Sequence, residues 1–205
     1  MKIQTFLVLV AGVIVASLAS PGSAFAVDVP AVSGESVPFG IGESRKTLRL
    51  RNGKEVSQVG VRVSENKLEV TREDGCKWSR PVDDIYGPSL TWENCSPGKW
   101  ATGWIEDVSK SGQLWPLAVG NKVKYKYRAL SSAGKKNNKA FRECEVTGTE
   151  MVKAGGKDYA TYRVECKEHS GTRVFNYAPE VSTSVSAERN HKKRGRTTME
   201  YLKDL

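Results

Sequence analysis

The chain has 205 residues, of which 39% are hydrophobic and 27% charged, and it carries a formal net charge of +9. That length fits one domain or two small ones. Beyond the first 26 residues no apolar run reaches the ~18 residues expected of a membrane helix, which excludes a multi-span helical membrane protein.

The first element is MKIQTFLVLVAGVIVASLASPGSAFA, residues 1–26. A lysine, an apolar stretch and small residues at Ala24 and Ala26 compose a secretory signal peptide, with cleavage expected after Ala26. The apolar stretch is short for a transmembrane anchor, and no cysteine stands at the cleavage site, so a lipobox is absent. A bacterial-type leader predicts a periplasmic or secreted protein with no transmembrane segment after cleavage.

Residues 27–43 (VDVPAVSGESVPFGIGE) carry prolines and glycines without a helical period, and are expected to form a linker or loose arm. From residue 44 the period is two. Leu48 and Leu50 alternate with arginines, Asn52-Gly53 signals a hairpin, and Val59, Val61, Val63, Leu68 and Val70 continue the alternation. Val123, Tyr125 and Tyr127 face one way while Lys122, Lys124, Lys126 and Arg128 face the other, as in a half-buried antiparallel strand. Residues 131–139 (SSAGKKNNK) read as a loop. Val174, Phe175 and Tyr177 form a later strand, stopped at Ala178-Pro179. The class is all-β: a strongly curved antiparallel sheet, or a small barrel or half-barrel meander, over residues 44–205. Two subdomains, 44–110 and 111–205, are the alternative.

All four cysteines lie beyond the leader, and an even count in an exported chain reads as disulfides. In ECEVTGTEMVKAGGKDYATYRVEC, Cys144 and Cys166 are equidistant from Gly155. A three-residue loop centred there sets Cys144 opposite Cys166, Val146 opposite Val164 and Glu145 opposite Glu165. The expected pairing is therefore Cys144–Cys166, with Cys76–Cys95 as the second local staple. No C-x-x-C spacing points to metal or redox chemistry.

Several stretches together resemble a group of uncharacterised exported bacterial envelope domains. LWPLAVGNKVKYKYR (114–128) is similar to that group's PL-x-VG entry into an aromatic strand. The Cys144–Cys166 stretch resembles its stapled hairpin, and FNYAPEV (175–181) its YAPE strand end, with GCKWSR and GPSLTWENC similar to a preceding Cys/Trp segment. The chain departs from the pattern at Asn176, where an aromatic is usual, and at Ser182, where glycine is usual. The resemblance implies an antiparallel β domain in the cell envelope and no known activity.

The sequence offers little for catalysis. His169 and His191 are its only histidines, and no H-E-x-x-H, G-x-S-x-G or phosphate-loop pattern occurs. Asp83-Asp84 sits in a Pro/Gly-rich stretch and reads as a turn former. No catalytic residue, cofactor or metal ligand is assigned. All five tryptophans, Trp78, Trp92, Trp100, Trp104 and Trp115, fall within 78–115. They are core residues or stacking platforms for a flat ligand, and Trp100 and Trp104, after SPG, are the pair expected at the surface.

Basic residues form three groups: the strand face Lys122, Lys124 and Lys126; Lys135 and Lys136 with Lys139; and Lys192, Lys193, Arg194 and Arg196. No acidic run of comparable density balances them. They serve solubility, or they bind an anionic envelope polymer or membrane headgroups; nucleic acid is disfavoured for an exported protein. The expected function is a non-catalytic envelope protein associating with an anionic or glycan component. The alternatives are a periplasmic carrier of an apolar ligand in a curved sheet, and an enzyme with a dispersed site.

Overall fold

The computed structural model describes residues 27–32 and 36–205. The expected leader lies outside the described residues. The strands are β1 (Ser44–Arg51), β2 (Lys54–Ser64), β3 (Lys67–Arg72), β4 (Lys77–Pro81), β5 (Thr91–Glu93) and β6 (Gly103–Gln113). They continue as β7 (Lys122–Ser131), β8 (Lys136–Ala154), β9 (Lys157–Glu168), β10 (Gly171–Ala178), β11 (Thr183–His191) and β12 (Gly195–Asp204). Each pairs antiparallel with the next, and β12 returns to β1, closing a barrel in which chain order is strand order. Two short 3-10 turns are the only helical pieces among the described residues. The loop expected over residues 131–139 is shorter, a turn at 132–135: β7 runs to Ser131 and β8 begins at Lys136. Lysine and asparagine hide a strand there because its side chains are mostly solvated and need no apolar alternation.

The up-and-down order sorts the connections by end. The connections after β1, β3, β5, β7, β9 and β11 lie at one end, called here the upper rim. On the central strands the alternation is strict: Val123, Tyr125, Tyr127 and Ala129 point inward, while Lys122, Lys124 and Lys126 are exposed. A charged outer wall and an apolar inner one are the reverse of a lipid-facing barrel.

The expected hairpin is present, with a different turn. Cys144 faces Cys166 and both disulfides are the expected ones, Cys76–Cys95 and Cys144–Cys166. The loop has two residues, Gly155 and Gly156, both at positive φ (57° and 82°), which places Ala154 opposite Lys157. That alone would slip the cysteines out of register by one. A bulge between Val146 and Gly148 inserts the compensating residue and restores the pairing. Ser182, where the resembled family has glycine, adopts a left-handed φ of 46° after the YAPE stretch.

The interior is filled by a segment of the chain itself. Residues 82–90, between β4 and β5, dip into the barrel, and Tyr86 ends 1% exposed. Its ring lies 4.6 Å from that of Phe175 and 6.1 Å from that of Trp115, and its hydroxyl is 2.7 Å from Ser184 Oγ on β11. Burying such a ring contributes roughly 1.5–3 kcal/mol. Asp84 accepts hydrogen bonds from the Tyr125 hydroxyl (2.8 Å) and the Tyr86 amide (2.9 Å), so it anchors this plug. Its neighbour Asp83 faces outward to Lys110 at 2.8 Å. The adjacent acids therefore have separate structural roles.

The segment 27–43, expected to be loose, is tied down at two points. Val29 joins the main core beside Tyr86 and Trp115, and Val37 packs with Leu68, Val70 and Val82. Single valines between prolines and glycines carry no period, so their burial leaves no pattern in the sequence. A second small core forms where the β8–β9 tip meets the last strands: Ala154 and Tyr159 pack on Ala178, Val185 and Tyr201. The Gly155 amide donates to Glu200 Oε1 at 2.8 Å to hold that tip.

Candidate functional site

The basic residues expected to bind an anion fall into two settings. Lys135 and Lys136 lie at the β7–β8 turn, and Lys192, Lys193 and Arg194 form the β11–β12 turn; both turns are on the upper rim. Among the described residues no carboxylate stands in ion-pair range of these five, and antiparallel topology alone brings them to one end. Lys139 is exposed near the start of β8.

The lysine face of β7 is different. Lys122 pairs with Glu145 at 3.0 Å and Lys124 with Glu143, both across the β7–β8 ladder. Arg196 pairs with Glu188 at 2.6 Å. The expectation that no acidic run offsets the lysines is therefore corrected: Glu143 and Glu145 form the counter-stripe, some twenty residues along the chain, and only strand pairing makes them neighbours. Lys126 is exposed, has no ion pair among the described residues, and lines an outer-wall groove with Asp107, Lys124, Arg128, Lys139 and Phe141.

The tryptophans do not form an exposed pair. Trp104 is 38% exposed and its indole N–H donates to Glu106 at 2.8 Å. Trp100 is half-buried, lies 6.4 Å from Trp92 in a stacked arrangement, and accepts the Trp92 indole N–H at its carbonyl (3.0 Å). Gly103 makes that packing possible, since a Cβ there would sit 2.2 Å from the Leu130 carbonyl and 2.5 Å from the Trp92 ring.

Inside the upper end lies a cluster that the charge count concealed. Glu168, with its side chain 3% exposed, receives Arg142 Nη2 at 2.5 Å, Arg189 Nη2 at 3.0 Å and the Ser170 hydroxyl at 2.7 Å, with Arg173 Nε 3.3 Å away. Arg142 also donates to the carbonyls of Tyr86 (3.1 Å) and Gly87 (2.5 Å), clamping the plug to β8. Burial alone would raise the Glu168 pKa, but the guanidiniums of Arg142, Arg173 and Arg189 outweigh it and hold the carboxyl well below the usual range. Burial, then the neighbouring Arg142, pushes the Arg173 guanidinium down. Arg80, across the barrel on β4 and bonded to the Ile85 carbonyl, is lowered to about 10 by burial and then by Arg142. His169 is lowered by burial against Tyr127, with Glu168 opposing.

This cluster was legible by parity. Arg142 occupies the inward row of Ala140, Cys144 and Val146, and Glu168 that of Val164 and Cys166, so the two face each other one ladder step beyond the disulfide. A charge on an inward strand position is itself the signal, because it must be paired to be buried.

The fold and these sites define a closed antiparallel barrel with a self-filled interior, a charged wall and a basic rim. No protein-family model matches the chain, and no curated protein matches it. Among solved structures it is similar to the hypothetical lipoprotein YmcC of Escherichia coli, at 11% identity over 80% of this chain and 88% of that one, with a TM-score of 0.46. It is also similar to a protein of Bacteroides fragilis described as having a YmcC-like fold, at 16% identity over 82% and 97%, with a TM-score of 0.34. Among the described residues no helix is long and apolar enough to cross a membrane, and no group of His, Cys, Asp or Glu could hold a metal ion.

Proposed function

We propose that the protein is a non-catalytic, exported envelope protein that associates with an anionic surface or polymer through its upper rim. The observation that carries this reading is the placement of Lys135, Lys136, Lys192, Lys193 and Arg194 at one end of the barrel without carboxylate partners among the described residues. Fields from cations gathered on one side add, so anionic material concentrates there. The lysines of β7 contribute less, because Glu143 and Glu145 already offset them. The Tyr86 plug fills the barrel where a carrier would hold its ligand, which favours a surface binder over a carrier.

Exposed charges are screened over about 8 Å at physiological salt, so binding weakens as salt rises. The test is co-sedimentation with anionic vesicles at low and high salt. The wild type is compared with a variant carrying serine at Lys192, Lys193, Arg194 and Arg196. Salt-sensitive binding that falls in the variant supports the rim. Binding indifferent to both returns these residues to a solubility role.

A further inference from the structure

We propose that Arg173 and Arg189 form a binding site for a single phosphate-type oxyanion at the mouth of the buried cluster. The two arginines are directly opposite each other across β10–β11. Like charges so placed repel, and the single carboxylate of Glu168, in ion-pair range of both, offsets that repulsion only in part. Glu168 supplies one negative charge, while Arg142, Arg173 and Arg189 supply three positive charges around it. Within this ion-paired group two positive charges remain, and the guanidinium of Arg80 adds to the excess from across the barrel. A phosphate monoester carries about −1.5 to −2 at neutral pH, and so offsets much of it.

Donor use separates these arginines from Arg49 and Arg142. Arg49 is more deeply buried than either, and its Nε, Nη1 and Nη2 all have acceptors, on Thr47, Ser184 and Thr183. Arg142 likewise spends every guanidinium nitrogen, on Glu168, Tyr86 and Gly87. By contrast the Nε atoms of both Arg173 and Arg189 are buried without a hydrogen bond, that of Arg173 meeting Glu168 only as an ion pair at 3.3 Å. Among the described residues no protein acceptor takes a hydrogen bond from Arg173, and Arg189 donates only from Nη2.

Exposure also grades toward solvent: the side chains of Glu168 and Arg142 are 3% and 5% exposed, those of Arg173 and Arg189 19% and 33%. A ligand therefore meets the under-used guanidiniums before the carboxylate. The turn bearing Lys192, Lys193 and Arg194 is fastened beside this mouth by the Lys192 amide, which donates to the Ser170 carbonyl at 2.9 Å. Guanidinium forks match phosphate oxygens in geometry and charge.

The site goes beyond the rim reading and is tested apart from it. Inorganic phosphate is titrated calorimetrically into the full chain, the rim serine variant, and the variants Arg173→Gln and Arg189→Gln. The expected result is one saturable site in the wild type and the rim variant, with affinity reduced about tenfold or more in each arginine variant. A parallel arm compares vesicles bearing a phosphate monoester headgroup with vesicles of a phosphodiester lipid at equal surface charge. Preference for the monoester identifies a lipid as the source; no preference, with phosphate still bound, identifies a soluble ligand.

Should an arginine variant fail to fold, the wild type decides by NMR. Phosphate must shift the Nε–Hε signals of Arg173 and Arg189, with those of Arg49 unmoved. Absence of saturable phosphate binding, or unchanged affinity in both arginine variants, overturns the site and leaves the rim reading standing. Loss of vesicle binding only in the rim variant, with phosphate binding intact, does not touch the site.

Discussion

Arg173 and Arg189 stand opposite one another across β10 and β11, and Glu168, from β9, lies within ion-pair range of both. The same carboxylate holds Arg142, which in turn grips the plug at Tyr86 and Gly87. One buried acid thus links four strands' worth of charge to the segment that fills the barrel.

Replacing Glu168 with glutamine keeps the shape and removes the charge. Arg142 is then buried without its counter-ion, and breaking such a pair costs roughly 3–5 kcal/mol. Urea unfolding of Glu168→Gln should show a loss of that order. A loss below about 1 kcal/mol would mean that the peptide carbonyls alone satisfy Arg142.

Acid should destabilise the fold in two stages. His169 has a lowered pKa, caused first by burial, so the folded state resists protonation while the unfolded state takes a proton near its ordinary value of about 6.5. Stability therefore begins to fall as pH drops below that value. Glu168 has its pKa depressed, so its contribution is complete above about 4.5 and is lost as pH falls toward the folded value. Asp84 acts in the opposite sense, because burial raises its pKa and its contribution is lost as pH rises through that value. Thermal unfolding across pH 3 to 8 (a range of roughly the carboxylate-to-histidine span) checks this. In Glu168→Gln the low-pH stage should shrink and the upper one remain.

The β8–β9 turn separates conformation from crowding. Both glycines are left-handed, and a side chain in that region costs roughly 1–2 kcal/mol. A Cβ at Gly156 meets nothing within 4 Å, whereas one at Gly155 would lie 2.8 Å from the Leu202 carbonyl. Gly156→Ala should therefore cost only the conformational term. Gly155→Ala should cost clearly more, since the backbone of β12 has to move. Equal midpoints in denaturant would show that the hairpin tip does not rest on β12.

Much of the barrel could be read from the chain. Strict alternation in Val123–Ala129 identified inner and outer faces, and Gly155 located the hairpin. The cysteine register was obtained through a three-residue loop, while the protein uses a two-residue loop and a bulge that cancel. Bulges leave no mark in alternation beyond a one-residue slip, which Thr147-Gly148 does not advertise. The docking of Val29 and Val37 was hidden because isolated apolar residues have no period. At the site, the exposed lysines were countable, but Glu143 and Glu145 became their partners only through strand pairing. Arg142 and Glu168 carry no motif, and only their parity with the apolar inward row marks them as interior.

Trp100 and Trp104 offer the last discrimination, between a stacking platform and packing. Trp104 is the more exposed, and its indole N–H is held by Glu106 on the same strand, so the ring is oriented without being enclosed. Trp100 lies against Trp92 and borders the main core. An aromatic pair adds about 0.5–1.5 kcal/mol beyond burial of its area. Trp100→Ala should therefore lower stability by roughly 1–3 kcal/mol through lost burial and stacking. Trp104→Ala should cost under about 1 kcal/mol, as for other surface changes. If a glycan chain is part of what the protein binds, Trp104 is the ring available to it. Titration of envelope oligosaccharide against tryptophan fluorescence should then show quenching that disappears in Trp104→Ala while that variant's unfolding midpoint stays near wild type. Quenching that persists in Trp104→Ala, or its absence in the wild type, removes the ring from any binding role and leaves the anionic contacts to act alone.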